Sequence, residues 1–544
     1  MFKEIIGKMT LEEKVGQLCV PILQSDKITD DLKKQIEEYN IGVLRYCPDA
    51  EYDNSSCIVG EPNRYFQPHE SSEFLNSIQK LAVERNHKIP LLISVDQEGS
   101  TRCDIDRGNT MVFGAHMSYG VVDETDTTYN ISKALAKEFR SMGISMLQSP
   151  ILDVLTYEGR KTVKASSFGT TPEKVAAHGC AMNKGYRDGG LISMAKHFPG
   201  YGSIATDAHK GTARITKTLD ELEKVDIYPY TEIIKAQADA IMIGHVIVEA
   251  IDPDYPATLS KKVVNGYLRE ELGFKGFIMT DAMRMKAIAD NYGLGNACVM
   301  AINAGCDLLL LRGDMAHFTE GYNAVLKAAK NGEIPIEVID TSIERVLKAK
   351  EKIGLFENPY ADGEQAKQIV GCKEHREMLK AFADKSISVI REKDLPLKSD
   401  NKILAISVEP QKIAAAMDER QCVDMLPKAI KNHNENTTTF ITKLDPDKED
   451  IEKAVSLSSD ADVIVFGSCD AILYPKQAEL AKVLYDTGKK LVVVAMNSPY
   501  DIEEMDFIEN YICTYGVASD WAIAASDVMF GKNNNRAKVP VNIK

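Results

Sequence analysis

Eight short apolar runs recur between Val15 and Leu311, and almost nothing in them alternates: VGQLCVP, IGVLRYC, IPLLISV, ISMLQSP, ISMAKH, ADAIMIGH, GFIMTD and CDLLLL. A strand with one wet face would alternate apolar and polar residues, so such runs suit strands covered on both faces, as in a parallel sheet. Parallel neighbours need a crossover between them. The intervening segments supply it, for Asn130 to Ser141 (NISKALAKEFRS) and Pro172 to Arg187 (PEKVAAHGCAMNKGYR) carry helical periodicity. Eight strand-then-helix units predict a (β/α)8, TIM-like barrel.

A Lys-rich helical stretch, VIDTSIERVLKAKEKIG, closes this region, and the Pro/Gly/acidic segment FENPYADGE follows it. The expected organisation of this α/β chain is a barrel over residues 1–358, a linker and helix over 359–385, and a smaller α/β sandwich domain over 386–544. That second domain is expected to hold an open, mostly parallel sheet, because KILAISV, TTTFIT, ADVIVFG, KKLVVVAMN and YICTYGV are again separated by helical stretches. It has no GxGxxG or Walker-type loop, so its likeness to nucleotide-binding folds is architectural only.

Composition narrows the classes of partner. With 80 acidic against 65 basic residues the net charge is -15, which argues against a nucleic-acid partner. No apolar run is long enough to span a membrane, and the charges scattered through MFKEIIGKMTLEEKVGQL are unlike a signal peptide. Eleven cysteines occur without a CxxC pair or a Cys/His cluster of metal spacing, which reads as thiols in a reducing compartment. A cytoplasmic protein with no metal is expected. The oligomeric state is not legible.

In such a barrel chemistry gathers where strands end at the C-terminal face. Several runs end in polar residues: Asp96, Gln97 and Glu98 after IPLLISV, Asp153 after ISMLQSPIL, Lys196 and His197 after ISMA, His245 after AIMIG, and Asp281 after GFIMT. The segment KHFPGYGSIATDAHKG is the sharpest signal. Pro199, Gly200 and Gly202 mark a loop with special backbone needs, and Asp207 and His209 sit two apart on it. A carboxylate beside an imidazole fixes its tautomer and lets it give up and take back a proton, and this reading is favoured over an incidental surface loop. A zinc site would need further ligands at metal spacing, and none is apparent. Asp281 is suited to attack an electrophilic carbon, and this reading is favoured over its alternative, an N-cap for a helix over AMRMKAIADN. Asp96, Lys196 and His197 combine an acceptor with nitrogen donors, which suits the hydroxyls of a polar hexose.

These residues are similar to those of glycoside hydrolase family 3, in its β-N-acetylglucosaminidase (β-hexosaminidase) branch. The resemblance runs from MTLEEKVGQL through DQEG at Asp96, KHFPG-x-G-x4-D-x-H from Lys196 to His209, DYPATLS, GFKGFIMTDAM around Asp281, and the VPVNI ending. It implies a retaining, exo-acting hydrolase of terminal β-linked N-acetylglucosamine. Asp281 would be the nucleophile, His209 the acid/base supported by Asp207, and Asp96, Lys196 and His197 the sugar-holding residues. Most glycosidases use a second carboxylate where this arrangement has a histidine. The resemblance also implies a carbohydrate substrate, no cofactor, and a second domain that lacks the acid/base residue.

The chain departs from the branch at Ser100, Tyr201 and Ala208, and at Ser166, where an arginine that helps to hold the sugar is usual. Arg102, Arg107 and Arg160 are the candidates to replace it, and Arg160 is counted among the substrate-binding residues. Three alternatives stay open: a phosphorylase using the same residues, a β-glycosidase for another hexose, and a non-catalytic sugar-binding protein.

Overall fold

The computed structural model describes residues 2–48, 67–105, 109–204, 213–409 and 425–543. All eight apolar runs form strands of one parallel sheet: β1 (Cys19–Leu23), β2 (Val43–Tyr46), β3 (Leu92–Val95), β4 (Met146–Leu147), β5 (Ile192–Phe198), β6 (Ala240–Ile243), β7 (Phe277–Thr280) and β8 (Leu309–Leu311). Their order is β7-β6-β5-β4-β3-β2-β1-β8, and a parallel bridge between Met279 and Leu308 brings the two ends together into a nearly closed barrel. Strands β2, β3, β6, β7 and β8 are buried at every position, as strands sandwiched between a barrel core and an outer helical layer must be. The crossovers include the helices Thr125–Ser141 and Pro172–Asp188, and the helix Ile336–Lys352 follows the last strand. Among the described residues no helix is long and apolar enough to cross a membrane.

Two positions of the HFPGYG segment leave no room for any residue but glycine. Gly200 has φ +133°, which L residues avoid, and a Cβ on Gly202 would lie 1.9 Å from the Val154 carbonyl oxygen. The loop is thereby pressed onto the segment that carries Asp153.

The second sheet has six strands, β9 (Ser388–Arg391), β10 (Ile403–Glu409), β11 (Thr437–Lys443), β12 (Val463–Ser468), β13 (Lys490–Ala495) and β14 (Tyr511–Cys513), in the order β9-β14-β13-β12-β10-β11. Only β9 runs antiparallel, beside β14. The sequence pattern had pointed to the five parallel strands and not to β9, a four-residue, partly exposed edge strand whose pairing slips at a register shift. A short edge of this kind lacks the apolar run that betrays a central strand. The ring of Phe382, on the helix Lys373–Ser386, lies 4.6 Å from that of Tyr119 in the barrel and 5.7 Å from that of Trp521 in the second domain. Ala115 also donates its N–H to the Tyr515 carbonyl at 2.8 Å. These contacts hold the C-terminal edge of the second sheet against the barrel mouth.

Asp501 is buried beneath that edge, where its carboxylate accepts from the Ser468 hydroxyl at 2.8 Å. Burial, and then the charge of Asp470, pushes its pKa up to about 7. A raised carboxyl pKa means stability that is full below the unfolded value near 4 and lost as pH rises through 7. Asp501→Asn should therefore match the wild type in Tm near pH 4 and exceed it at pH 8. A Tm difference that does not change between those two pH values would refute the burial argument.

Candidate active site

The polar residues at the strand ends converge on one cavity. Asp96 follows β3, and Glu98 lies on the short strand Gln97–Gly99, which folds back on Arg102–Cys103. The Lys196 ammonium on β5 sits between them, 2.5 Å from Asp96 Oδ1 and 2.5 Å from Glu98 Oε1. A register shift between Ala195 and Phe198 in the β5–β6 pairing interrupts the pleat at Lys196 and His197, the kind of irregularity that re-aims side chains. On its other side Asp96 faces Arg45 of β2 at 3.6 Å, and Arg45 makes a two-pronged pair with Asp104 at 3.1 and 3.2 Å. Asp104 also accepts the Asp96 N–H at 2.6 Å. Glu98, Lys196, Asp96, Arg45 and Asp104 thus form one alternating chain of charges.

Burial sets the electrostatics of this chain. The side chains of Glu98 and Lys196 are each 1% exposed, so neither charge has water to fall back on. Burial works against the Glu98 charge, but Lys196 and Arg102 outweigh it and hold the carboxyl far below the usual carboxylate range. Burial raises the Asp96 carboxyl in spite of Lys196. For Lys196 burial opposes the charge, and Asp96 and Glu98 more than offset it, so the ammonium stays protonated above its ordinary range.

His197 is oriented by Asp153. Its Nδ1 lies 3.2 Å from Asp153 Oδ2, and because a carboxylate only accepts, the Nδ1 proton is fixed and Nε2 is left as the acceptor of the neutral ring. Asp153 Oδ1 takes the N–H of Tyr201 at 2.8 Å, and the Tyr201 ring packs 4.9 Å from that of His197. Tyr201, a departure from the branch pattern, is therefore built into the wall.

Asp281 stands directly after β7. Its N–H donates to Ile243 of β6 at 3.0 Å, the N–H of Met283 donates to Leu310 of β8 at 3.1 Å, and the buried His245 places Nε2 3.1 Å from the Ala282 carbonyl. The following helix, Lys286–Tyr292, begins only after Met285. Asp281 is therefore not its N-cap, and its Oδ1 instead accepts the N–H of Ala282 at 2.7 Å. Asp96, Glu98, Asp153, Lys196, His197 and Asp281 all line a cleft of about 1320 Å3, counting its open mouth. A carboxylate whose segment is fixed by three neighbouring contacts, on one cleft with a cluster of charged and hydrogen-bonding groups, suits attack on an electrophilic carbon.

Residues 10–349 match the glycosyl hydrolase family 3 N-terminal domain. The chain belongs to that family. It is 26% identical over 481 residues to β-hexosaminidase A of Pseudoalteromonas piscicida, covering 80% of this chain and 79% of the relative. It is 31% identical over 275 residues to a β-hexosaminidase of Mycobacterium tuberculosis, covering 48% of this chain and 68% of the relative. The family 3 β-N-acetylglucosaminidase from Paenibacillus sp. strain FPU-7 superposes with a TM-score of 0.91 at 27% identity, over 98% of this chain and 99% of that one. A β-glucoside phosphorylase shares the fold, with a TM-score of 0.82 at 20% identity over 99% of this chain and 96% of that one.

In this family 3 glycoside hydrolase, Asp207 and His209, together with Ala208 and Arg107, lie outside the described residues. Arg160 is not brought to the cleft. Its Nε lies 3.2 Å from Glu503 of the second domain, and its guanidinium stacks 3.7 Å above the Tyr157 ring, so it joins the two domains. Arg102 does line the cleft, beside Glu98, and so do four residues that the sequence reading passed over: Arg45, Lys164, Arg312 and Asn497. Arg45 and Arg312 carry a usable signal, for the first is a cation within, and the second a cation directly after, an otherwise apolar strand run. Lys164 and Asn497 carry none, because their place depends on how the second domain docks.

Proposed function

We propose that this enzyme removes terminal β-linked N-acetylglucosamine from its glycosides with retention of configuration. In this reading the Asp281 carboxylate attacks the anomeric carbon while His209, supported by Asp207, protonates the departing oxygen. Water deprotonated by His209 then releases the sugar from Asp281. The observation that carries the reading is the position of Asp281 at the end of β7, on the same cleft as Asp96, Lys196 and His197. The substrate is inferred from what the relatives are called, and the role of His209 from the KHFPG-x-G-x4-D-x-H spacing. The buried thiols of Cys19, Cys298, Cys306 and Cys513 support a reducing, cytoplasmic setting.

The test is a panel of 4-nitrophenyl β-glycosides of N-acetylglucosamine, N-acetylgalactosamine, glucose and galactose, assayed with and without inorganic phosphate. The highest kcat/KM is expected for N-acetylglucosamine, with free sugar as product in both cases. A sugar 1-phosphate product would convert the enzyme into a phosphorylase with the same nucleophile. The acid role of His209 makes a separate prediction. His209→Ala should slow cleavage of a disaccharide, whose leaving group needs a proton, at least about tenfold more than cleavage of a nitrophenyl glycoside. Equal losses on both substrates would assign His209 a structural part.

A further inference from the structure

Three residues with left-handed backbone meet at one wall of the cleft. Ser100 has φ +53°, Lys164 φ +53° and Asp470 φ +56°, conformations that cost free energy in residues other than glycine and that gather at functional sites. They come from three separate stretches of chain and are joined by one continuous set of hydrogen bonds. The Ser100 hydroxyl donates to Asn497 Oδ1 at 3.1 Å, the Asn497 amide donates to Asp470 Oδ1 at 3.0 Å, and the Lys164 ammonium lies 2.5 Å from Asp470 Oδ2. Asp470 and Asn497 are 2% and 4% exposed, and the Lys164 side chain 12%. Asp470 follows β12 and Asn497 follows β13, so both sit at the C-terminal edge of the second sheet, where open α/β sheets present ligand-binding groups. Ser100, Lys164 and Asn497 line the cleft itself, whereas Asp470 stands behind Lys164.

We propose that Lys164 is a substrate-binding residue whose ammonium donates to an oxygen of the bound sugar, and that Asp470 and Asn497 are positioning residues supplied by the second domain. The inference rests on the reading of the cleft as a sugar site. It extends that reading by making the second domain part of substrate recognition without giving it a group that touches the reacting atoms. The strained Lys164 backbone sets the side chain on the cleft wall, Asp470 fixes its direction, and the Asn497 amide holds the second Asp470 oxygen so that the carboxylate cannot swing away. A lysine held this way gives a charge-assisted hydrogen bond with little ordering left to be done on binding.

The experiment compares wild type, Lys164→Met, Asp470→Asn and the double variant on whichever panel glycoside the wild type cleaves best, with Tm measured alongside. Lys164→Met is expected to lower kcat/KM roughly ten- to a hundredfold, mostly through KM, the range for one lost charge-assisted hydrogen bond. Asp470→Asn should lower it less and have no further effect once Lys164 is gone, since it acts through that residue. The double variant leaves neither charge buried alone, so it carries the test even where Lys164→Met fails to fold. A double variant within twofold of wild type in kcat/KM overturns the inference and leaves the functional reading standing. Effects of the two single changes that simply multiply overturn the link between Asp470 and Lys164. A wild type that cleaves none of the panel overturns the functional reading and this inference with it.

Discussion

Asp281→Ala is expected to lower kcat by at least about a thousandfold on every glycoside the enzyme cleaves, because the proposed mechanism builds its glycosyl intermediate on that carboxylate. The loss should be a loss of chemistry and not of structure. Asp281 closes no helix, and the backbone bonds that hold its segment run from its N–H to Ile243, from Met283 to Leu310 and from His245 to the Ala282 carbonyl, all of which survive the substitution. Tm should therefore stay near that of the wild type. Added azide offers a second readout. With the nucleophile gone, a small anion has room to attack the anomeric carbon from the vacated face, and the product expected from a β-glycoside is the α-glycosyl azide. A variant that keeps more than about a tenth of wild-type kcat would remove Asp281 from the mechanism.

Lys196→Met should act on both stability and binding. The ammonium is sandwiched between two carboxylates, and removing it leaves the buried Glu98 facing the partly buried Asp96 with no cation between them. Breaking a buried pair in this way costs about 3–5 kcal/mol, because an uncompensated charge is left behind. The pH dependence carries the diagnosis. In the wild type Glu98 is held below its ordinary pKa, so its contribution to stability is present above the unfolded value and is lost only as pH falls. In the variant Asp96, already raised by burial, would rise further and Glu98 would keep Arg102 but not Lys196 against its burial, so the cost of the two charges would fade as pH drops and they take up protons. The Tm deficit of Lys196→Met should accordingly be largest near pH 8 and narrow toward pH 4. A deficit of the same size at both pH values would show that packing, and not charge, is what Lys196 supplies.

Much of this was written in local pattern. A parallel barrel strand is buried on both faces, so its sequence is a bare apolar run, and each of the eight runs from VGQLCVP to CDLLLL became a strand. The polar residue that ends such a run is carried by geometry to the C-terminal rim, which is why Asp96, Lys196, His197 and Asp281 could be named together from sequence and are found on one cleft. The edge strand β9 escaped notice because pairing on one side alone demands little of its side chains.

Other features depended on contacts between distant segments. Whether Asp281 caps a helix or faces the cleft depended on where the next helix starts, which the tethers to β6 and β8 decide. Arg160 and Lys164 lie four positions apart on the same irregular stretch, and nothing in their spacing says that one turns to Glu503 and the other to the cleft. Their partners Glu503 and Asp470 belong to a domain folded separately in sequence and brought over the barrel mouth by contacts such as Phe382 with Tyr119 and Trp521. The sequence by itself determined the barrel and its polar rim, because those follow from periodicity within single strands, whereas the tethers around Asp281 decided that its carboxylate reaches the cleft. Only the tertiary structure decided that Lys164 lines the cleft while Arg160 turns to Glu503, because a long flexible side chain goes wherever a buried carboxylate from elsewhere in the chain can hold it.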